Sequence, residues 1–331
     1  MLTRRTFLQT ASAFSLLPLS PRAPAALVMQ LDWQLNAQFA GLLVAEARGL
    51  YRQRGLQVAI RAAGADMDVP TTVAAAERML GCAEQTLLLE AQATGLPLVA
   101  IAAMLQASPL SLMSLPAQPV QTLADLPGKR IGVHSDGRQA LALVMGVNQL
   151  EAEAVDIVEI PYAHKRDRLL KGELDAVQCY SLDEPIAFAR ETGRRPVVLP
   201  LSDYGFDAYS QVIFTTQAFL SQEPDTIQRF LQATFEGWQG AIADIPAAAH
   251  LIATRYAQGD YASAPEQVAS LKIVADYVQR GISPTQLGYI SPQRWRRTAQ
   301  QFATYGLIEQ LPDLATSLAA NLIPPLLARR G

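Results

Sequence analysis

Apolar positions alternate between two rhythms along this chain. Ala26 to Leu31 is an apolar run of strand length; beyond the polar stretch that follows it, Phe39, Leu42, Leu43 and Leu50 recur at helical spacing, with Glu46 alone interrupting that face. Arg48, Arg52 and Arg54 crowd the far end of this predicted helix, where cations suit the terminal carbonyls. Gly55 can supply a left-handed cap before Leu56 to Ile60 returns as a second strand. Strand, loop, helix and strand make a βαβ unit. In open parallel sheets the loop leaving the carboxyl end of a strand faces the binding crevice, so Trp33, Asn36 and Gln38 stand where a small ligand would lie. Trp33 is the natural anchor there, the alternative being that it packs under the first helix.

The same alternation continues. Val69 to Leu80 reads as a helix opening at Pro70, Gly81 to Gln85 as a short strand and loop, Thr86 to Ala93 as a helix stopped by Gly95, and Pro97 to Leu105 as a buried strand. Ser108-Pro109 changes the character of the chain, and Leu110 to Leu115 reads as a crossing into new structure. Beyond it, strands are predicted at Ile131–Val133, Val155–Ile160, Leu174–Cys179 and Pro196–Leu201, with helices over Gln139–Gln149 and Arg166–Lys171. Ser135 or Asp136 either caps the first of these helices or offers its free amide groups to a ligand. Val212 to Thr215 reads as the returning crossover, with Tyr204 and Tyr209 expected to border the cleft. From Pro224 the chain is mainly helical, and Ile227, Phe230, Leu231, Phe235, Trp238 and Ile242 form one apolar face. Trp238, Trp295 and Tyr305 are therefore assigned to the core.

Leu31-Asp32-Trp33, Asn36, Gly41, Gly49-Leu50-Tyr51 and Gly55-Leu56 resemble the opening of the SsuA/THI5-like (NMT1) family, and the likeness runs over nearly all of the chain after residue 25. That family holds periplasmic binding proteins of ABC importers for thiamine-pyrimidine precursors, riboflavin and alkanesulfonate- or nitrate-like anions, together with a fungal enzyme that makes the thiamine pyrimidine. Leu35 and Phe39 depart from the pyrimidine branch, where a proline and a histidine are usual. The resemblance implies an α/β, two-lobed periplasmic binding protein fold of type II, each lobe a mainly parallel sheet flanked by helices, joined by two crossover hinge strands. It places residues 26–107 and 214–331 in lobe 1 and residues 108–213 in lobe 2. It also implies that Glu84 occupies a second cleft-facing loop, and that Tyr180, Asp183 and Glu184 form a loop with an acid before proline that lies against the ligand. Without the resemblance, Glu184 before Pro185 reads equally as a helix-start residue.

Composition narrows the function. Half of the 331 residues are hydrophobic, enough for one large core or two modest ones. Residues 1–25 contain no acid and hold Arg4-Arg5, Phe7-Leu8, a modestly apolar stretch and Ala23-Pro24-Ala25, which reads as a twin-arginine-type signal peptide directing the mature protein to the periplasm. The apolar stretch is far short of the ~20 residues a membrane span needs, so no stable membrane insertion is expected. Removing Arg4, Arg5 and Arg22 takes the formal charge from −3 to −6, a poor balance for nucleic acid. Cys82 and Cys179 are assigned to different lobes and are expected to stay unpaired, since a bridge would clamp bodies that must move.

His134, His164 and His250 show no metal-ligand spacing, and no glycine-rich phosphate loop or serine-histidine-acid order appears. The synthase branch carries a lysine and a histidine where alignment puts Ala83 and Leu87, so no cofactor is expected. The reading that results is a monomeric, non-enzymatic solute-binding protein with Trp33, Asn36, Gln38, Glu84, Ser135, Tyr180, Asp183, Glu184 and Tyr209 at its ligand. Its partners are that ligand and an inner-membrane ABC permease. A thiamine-type aminopyrimidine is the leading cargo, followed by riboflavin and then an alkanesulfonate, taurine or nitrate. A pyrimidine synthase-like enzyme and an extracytoplasmic sensory module are the other classes.

Overall fold

The computed structural model describes residues 26–63, 67–161, 164–320 and 322, without the side chains of Ser135 and Asp136. The expected signal peptide lies outside the described residues. Two five-stranded sheets carry the chain. The first contains β1 (Leu27–Gln30), β2 (Val58–Arg61), β3 (Met79–Ala83), β4 (Leu98–Leu105) and β10 (Ser210–Thr216); the second contains β5 (Leu110–Ser114), β6 (Arg130–Val133), β7 (Asp156–Glu159), β8 (Ala176–Tyr180) and β9 (Val197–Pro200). Their spatial orders are β2-β1-β3-β10-β4 and β7-β6-β8-β5-β9. The pattern is the same twice. In each sheet the fourth strand runs against the other four, and it is the strand delivered by a crossover: β5 arrives from the first sheet, β10 returns from the second. This is the two-lobed type II fold expected from the sequence.

Helices cover the faces. In the first half these are α1 (Ala40–Ala47), α2 (Leu50–Gln53), α3 (Val69–Ala74) and α4 (Gln85–Ala93); the second sheet is flanked by α5 (Ser135–Val147), α6 (Lys165–Leu170) and α7 (Glu184–Thr192). After β10 come α8 (Gln217–Gln222), α9 (Pro224–Ala243), α10 (Ile245–Arg255), α11 (Ala264–Gln279), α12 (Pro292–Thr304) and α13 (Leu314–Ser317). The predicted apolar face of α9 buries Ile227, Phe230, Leu231, Phe235 and Trp238 against α1 and the first sheet. Trp295 is fully buried on the other side of that sheet.

Several local expectations change. The helix expected over Val69–Leu80 ends at Ala74, because Met79 and Leu80 pair with Val28 and Met29 in the ladder, and sheet pairing overrides the helical propensity of an alanine-rich segment. The first helix breaks at Gly49, whose φ of 71° a helix cannot accept, so Leu50 begins α2. The helix expected from Gln139 begins at Ser135. Tyr305 is 40% exposed and caps α12 instead of entering the core. β10 starts at Ser210, inside the segment assigned from sequence to lobe 2.

The crossovers are held together where they pass. Ser108 N donates to Ala208 O at 2.9 Å, and Arg294 on α12 donates to Gln106 O at 2.6 Å and Asp207 Oδ1 at 2.7 Å while lying over the Tyr209 ring. One helix therefore braces both hinges, with Trp295 in a core of the first sheet and Phe302 in that of the second.

Cys82 on β3 and Cys179 on β8 are buried, free and in different sheets. Burial pushes both thiols up, with the Asp32 carboxylate adding to the effect at Cys82 and Glu184 at Cys179. Neither should react in the native protein, and a thiol titration of denatured, unreduced protein should count two. A count of zero would mean a bridge between the sheets.

Candidate functional site

The loops after β1, β3 and β8 meet between the sheets, as carboxyl ends of parallel strands predict. A cavity of 640 Å³ opens here, walled by Trp33 and Gln34 after β1, Lys165 and Arg166 on α6, Asp183 at the cap of α7 with Glu184, Ile186 and Phe188 on that helix, and residues of the α10–α11 connection and α11.

Trp33 is half-buried in the cavity wall, and its Nε1 donates to the Tyr261 hydroxyl at 2.9 Å. Asn36 is nearly buried and does two things. Its Oδ1 accepts from Gln38 N at 2.8 Å, shaping the turn before α1, while Nδ2 reaches across to Asp183 Oδ2 at 3.4 Å. Gln38 is buried behind that turn. Glu84 leaves β3 and accepts at Oε1 from the hydroxyls of Ser108, at 3.1 Å, and of Tyr180, so it joins the first sheet's loop to the second's. Ser181 and Tyr277 make a further hydroxyl contact at 3.1 Å.

The neighbours Asp183 and Glu184 have different fates. Glu184 opens α7 ahead of Pro185; its Oε1 meets Lys165 Nζ at 2.5 Å, and its Oε2 accepts from Tyr180 N at 2.6 Å. Lys165, 5% exposed, also donates to Gln178 O at 3.0 Å. Both oxygens of Glu184 thus serve the local fold. Asp183 instead projects toward Asn36 and Tyr261 and lines the cavity. Burial, then the charge of Glu184, pushes its carboxyl up to about 7, against the opposing pull of the Glu184 backbone amide, Lys165 and the Tyr261 hydroxyl. Burial and the Asp183 charge in turn raise the Tyr261 phenol.

One predicted site position moves, and another lies outside the described side chains. Tyr209 is 1% exposed in the core under α12, its hydroxyl accepting from Ser291 N at 2.9 Å and its ring stacked near Trp295, because its apolar ring fills the space between the first sheet and α12. It does not border the cleft, and Tyr204 packs on the second core. Ser135 opens α5, and its side chain lies outside the described residues; Gln178 Oε1 already accepts from His134 N at 2.7 Å at that helix end. Tyr261, Lys165 and Gln267, a cavity-lining residue whose Oε1 accepts from Ala37 N at 2.7 Å, were not legible as site residues. Tyr261 lies 228 positions from Trp33, and no local pattern marks it.

The model of a family described as NMT1/THI5 like matches residues 36–249. The chain belongs to that family. A putative thiamine biosynthesis protein of Haemophilus influenzae is 27% identical over 248 residues, covering 70% of this chain and 77% of its own. The riboflavin-binding protein RibY of Chloroflexus aurantiacus is 23% identical, covering 87% and 83%. A protein of Legionella pneumophila named 4-amino-5-hydroxymethyl-2-methylpyrimidine phosphate synthase is 24% identical, covering 62% and 66%. Among solved structures, the periplasmic aliphatic sulphonate binding protein SsuA of Escherichia coli superposes with a TM-score of 0.69 at 17% identity, covering 93% of this chain and 95% of that one. The likeness to SsuA is one of fold.

Proposed function

We propose that this NMT1/THI5-like protein is a periplasmic solute-binding protein that delivers an aminopyrimidine of thiamine-precursor type to an ABC importer. The observation that carries the reading is Asp183: a carboxyl held near half-protonation at neutral pH, in the cavity wall with Trp33. An aminopyrimidine presents an exocyclic amine that donates beside a ring nitrogen that accepts. A protonated carboxyl answers both, accepting at one oxygen and donating from the other. Trp33 supplies a face for the ring, and stacking of a base on an aromatic side chain is worth about 1–3 kcal/mol.

The charges favour this cargo over a small oxyanion. The acids Glu184, Glu191, Asp260 and Glu266, beside Asp183, line the cavity against the cations Lys165 and Arg166, which are paired with Glu184 and Glu191. Names of relatives that mention thiamine and its pyrimidine point the same way. A carrier is favoured over the synthase because Ala83 cannot form a Schiff base and Leu87 cannot offer an imidazole. Arg4-Arg5 with Phe7-Leu8 supports export by the twin-arginine route, and the acidic mature charge agrees with a protein that works in solution as a monomer before it meets its permease.

Riboflavin is the second reading. A 640 Å³ cavity leaves room beyond a single ring, and RibY is among the relatives. Calorimetry on unfolded-and-refolded, ligand-free protein decides, with aminopyrimidine, riboflavin, an alkanesulfonate and nitrate titrated in turn. Aminopyrimidine should bind, and Trp33→Ala should weaken it roughly tenfold, the effect of losing about 1.4 kcal/mol of stacking. Binding of only the sulfonate or nitrate would overturn the assignment, and binding of riboflavin alone would transfer it to the second reading.

A further inference from the structure

Helix termini attract opposite charges, anions at the amino end and cations at the carboxyl end. Arg190 sits in the last turn of α7 and Glu266 in the first turn of α11, and these two termini come from opposite sides of the cleft. They meet in an ion pair in which one guanidinium nitrogen reaches both carboxylate oxygens. Arg190 Nη1 lies 2.9 Å from Glu266 Oε1 and 2.7 Å from Oε2, while Nη2 donates to Glu191 Oε1 at 2.8 Å. Glu191 in turn pairs with Arg166, and Glu191, Glu266 and Arg166 all stand in the wall of the cavity. The charges therefore form a chain along the cavity wall, from α11 through α7 to α6.

We propose that Arg190 and Glu266 are a latch: an ion pair between the lobes that holds the cleft shut and slows exchange of whatever occupies it. This rests on reading the cavity as a cleft between lobes that move, and not on the identity of the cargo. The pair differs from the buried contacts Asn36–Asp183 and Glu84–Tyr180 in its position at the solvent edge, where the side chains of Arg190 and Glu266 are 36% and 21% exposed. Exposed charges are screened over about 10 Å at 0.1 M salt, so the latch must weaken as salt rises, whereas the hydroxyl and amide contacts inside the cleft respond little. A single exposed pair shifts an equilibrium only a few-fold; the network that ties Arg190 to Glu191 and Asp260 as well as Glu266 raises the expectation to roughly threefold to tenfold. Arg190 and Glu266 act here as positioning residues.

The test needs no ligand. The mature chain carrying Lys171→Cys and Lys272→Cys, both exposed and on opposite lobes, can be labelled with a dye pair while the native cysteines stay buried. Single-molecule energy transfer then reads the closed-to-open ratio at low and high salt. Arg190→Gln and Glu266→Gln should each lower that ratio about threefold to tenfold at low salt and abolish most of its salt dependence. The double variant should open no further than Arg190→Gln alone, because Arg190 makes both contacts across the cleft, to Glu266 and, at 3.9 Å, to Asp260. Additive effects, or an unchanged distance distribution in folded single variants, would overturn the latch. So would a wild-type distribution that is insensitive to salt. If the variants open the cleft as expected and no aminopyrimidine binds in calorimetry, the latch stands and the cargo assignment falls.

Discussion

Gly237→Ala is expected to destabilise the protein by roughly 3 kcal/mol, the upper part of the usual range for overpacking, and to lower the melting midpoint by about 5 °C or more. The reason is the approach of α9 to α1. A Cβ at Gly237 would lie 2.1 Å from the Gly41 carbonyl oxygen, 2.8 Å from Ala45 Cβ and 3.0 Å from Ala45 N. None of these is the far end of a flexible chain, so relief requires the two helices to separate. Gly41 has the reciprocal constraint, its Cβ position lying 2.2 Å from Trp238 Cδ1. Separation would loosen the buried face of Trp238, Phe230 and Leu231 over the first sheet. Gly172→Ala is the control: its φ is 70°, with nothing within 4 Å of the new atom, so only backbone strain of about 1 kcal/mol is expected. Thermal melts of the two variants should differ accordingly. Equal midpoints would mean that the α1–α9 contact is less tight than its geometry shows.

This contact also illustrates what a sequence can and cannot carry. The apolar face of α9 was legible because each helical turn repeats it, and the βαβ opening was legible because periodicity changes sharply at Asp32. The two interlocking glycines were not, since nothing local in Gly41 or Gly237 says that the other lies opposite. The same limit cut α3 short: Ala74 to Leu80 has helical propensity along its length, and only the ladder to Val28 and Met29 turns its end into a strand. Tyr209 and Tyr305 were misplaced for a related reason. An aromatic residue near a crossover or at a helix end has the same local signature whether it faces a cleft, a core or solvent.

At the site, the loops were legible and the roles within them were not. Trp33, Asn36, Glu84, Tyr180, Asp183 and Glu184 lie on loops that meet, as strand ends in this topology require. Yet the division of labour between the adjacent Asp183 and Glu184 depends on Lys165 and on the Tyr180 amide, which take both oxygens of Glu184. The family resemblance pointed to Glu184, the acid before proline, which pattern alone read equally as a helix-start residue. Geometry favours Asp183 as the carboxyl that meets a ligand, its proton held by burial first and by the neighbouring Glu184 second.

That assignment leads to the second large effect, at Asp183 itself. Its carboxyl titrates at about 7 in the folded protein against an ordinary value of 3.8, so the folded state keeps a proton that the unfolded chain has lost. Stability should therefore fall as pH rises from about 4 to about 7 and stay lowered above that. Asp183→Asn removes the buried ionisation, and in the ligand-free protein it should raise stability above pH 7 by about 1–4 kcal/mol, the ceiling being a shift of about three units at 1.36 kcal/mol each. Its effect on binding separates a hydrogen-bonding role from a purely electrostatic one. An asparagine amide also accepts at one atom and donates from the other, the pairing by which asparagine reads adenine, so aminopyrimidine affinity should survive within a few-fold. Asp183→Leu offers neither group and should lose roughly 100-fold, since a hydrogen bond to a charged or strongly polar partner is worth about 1.5–3 kcal/mol. Between about pH 7 and pH 9 the wild-type affinity should fall toward tenfold per pH unit as the donating proton leaves, while the asparagine variant stays flat. Calorimetric titrations of the three proteins across that range test the whole chain of reasoning. An asparagine variant that tracks the wild-type pH profile, or a leucine variant that binds as well as either, would remove Asp183 from the site.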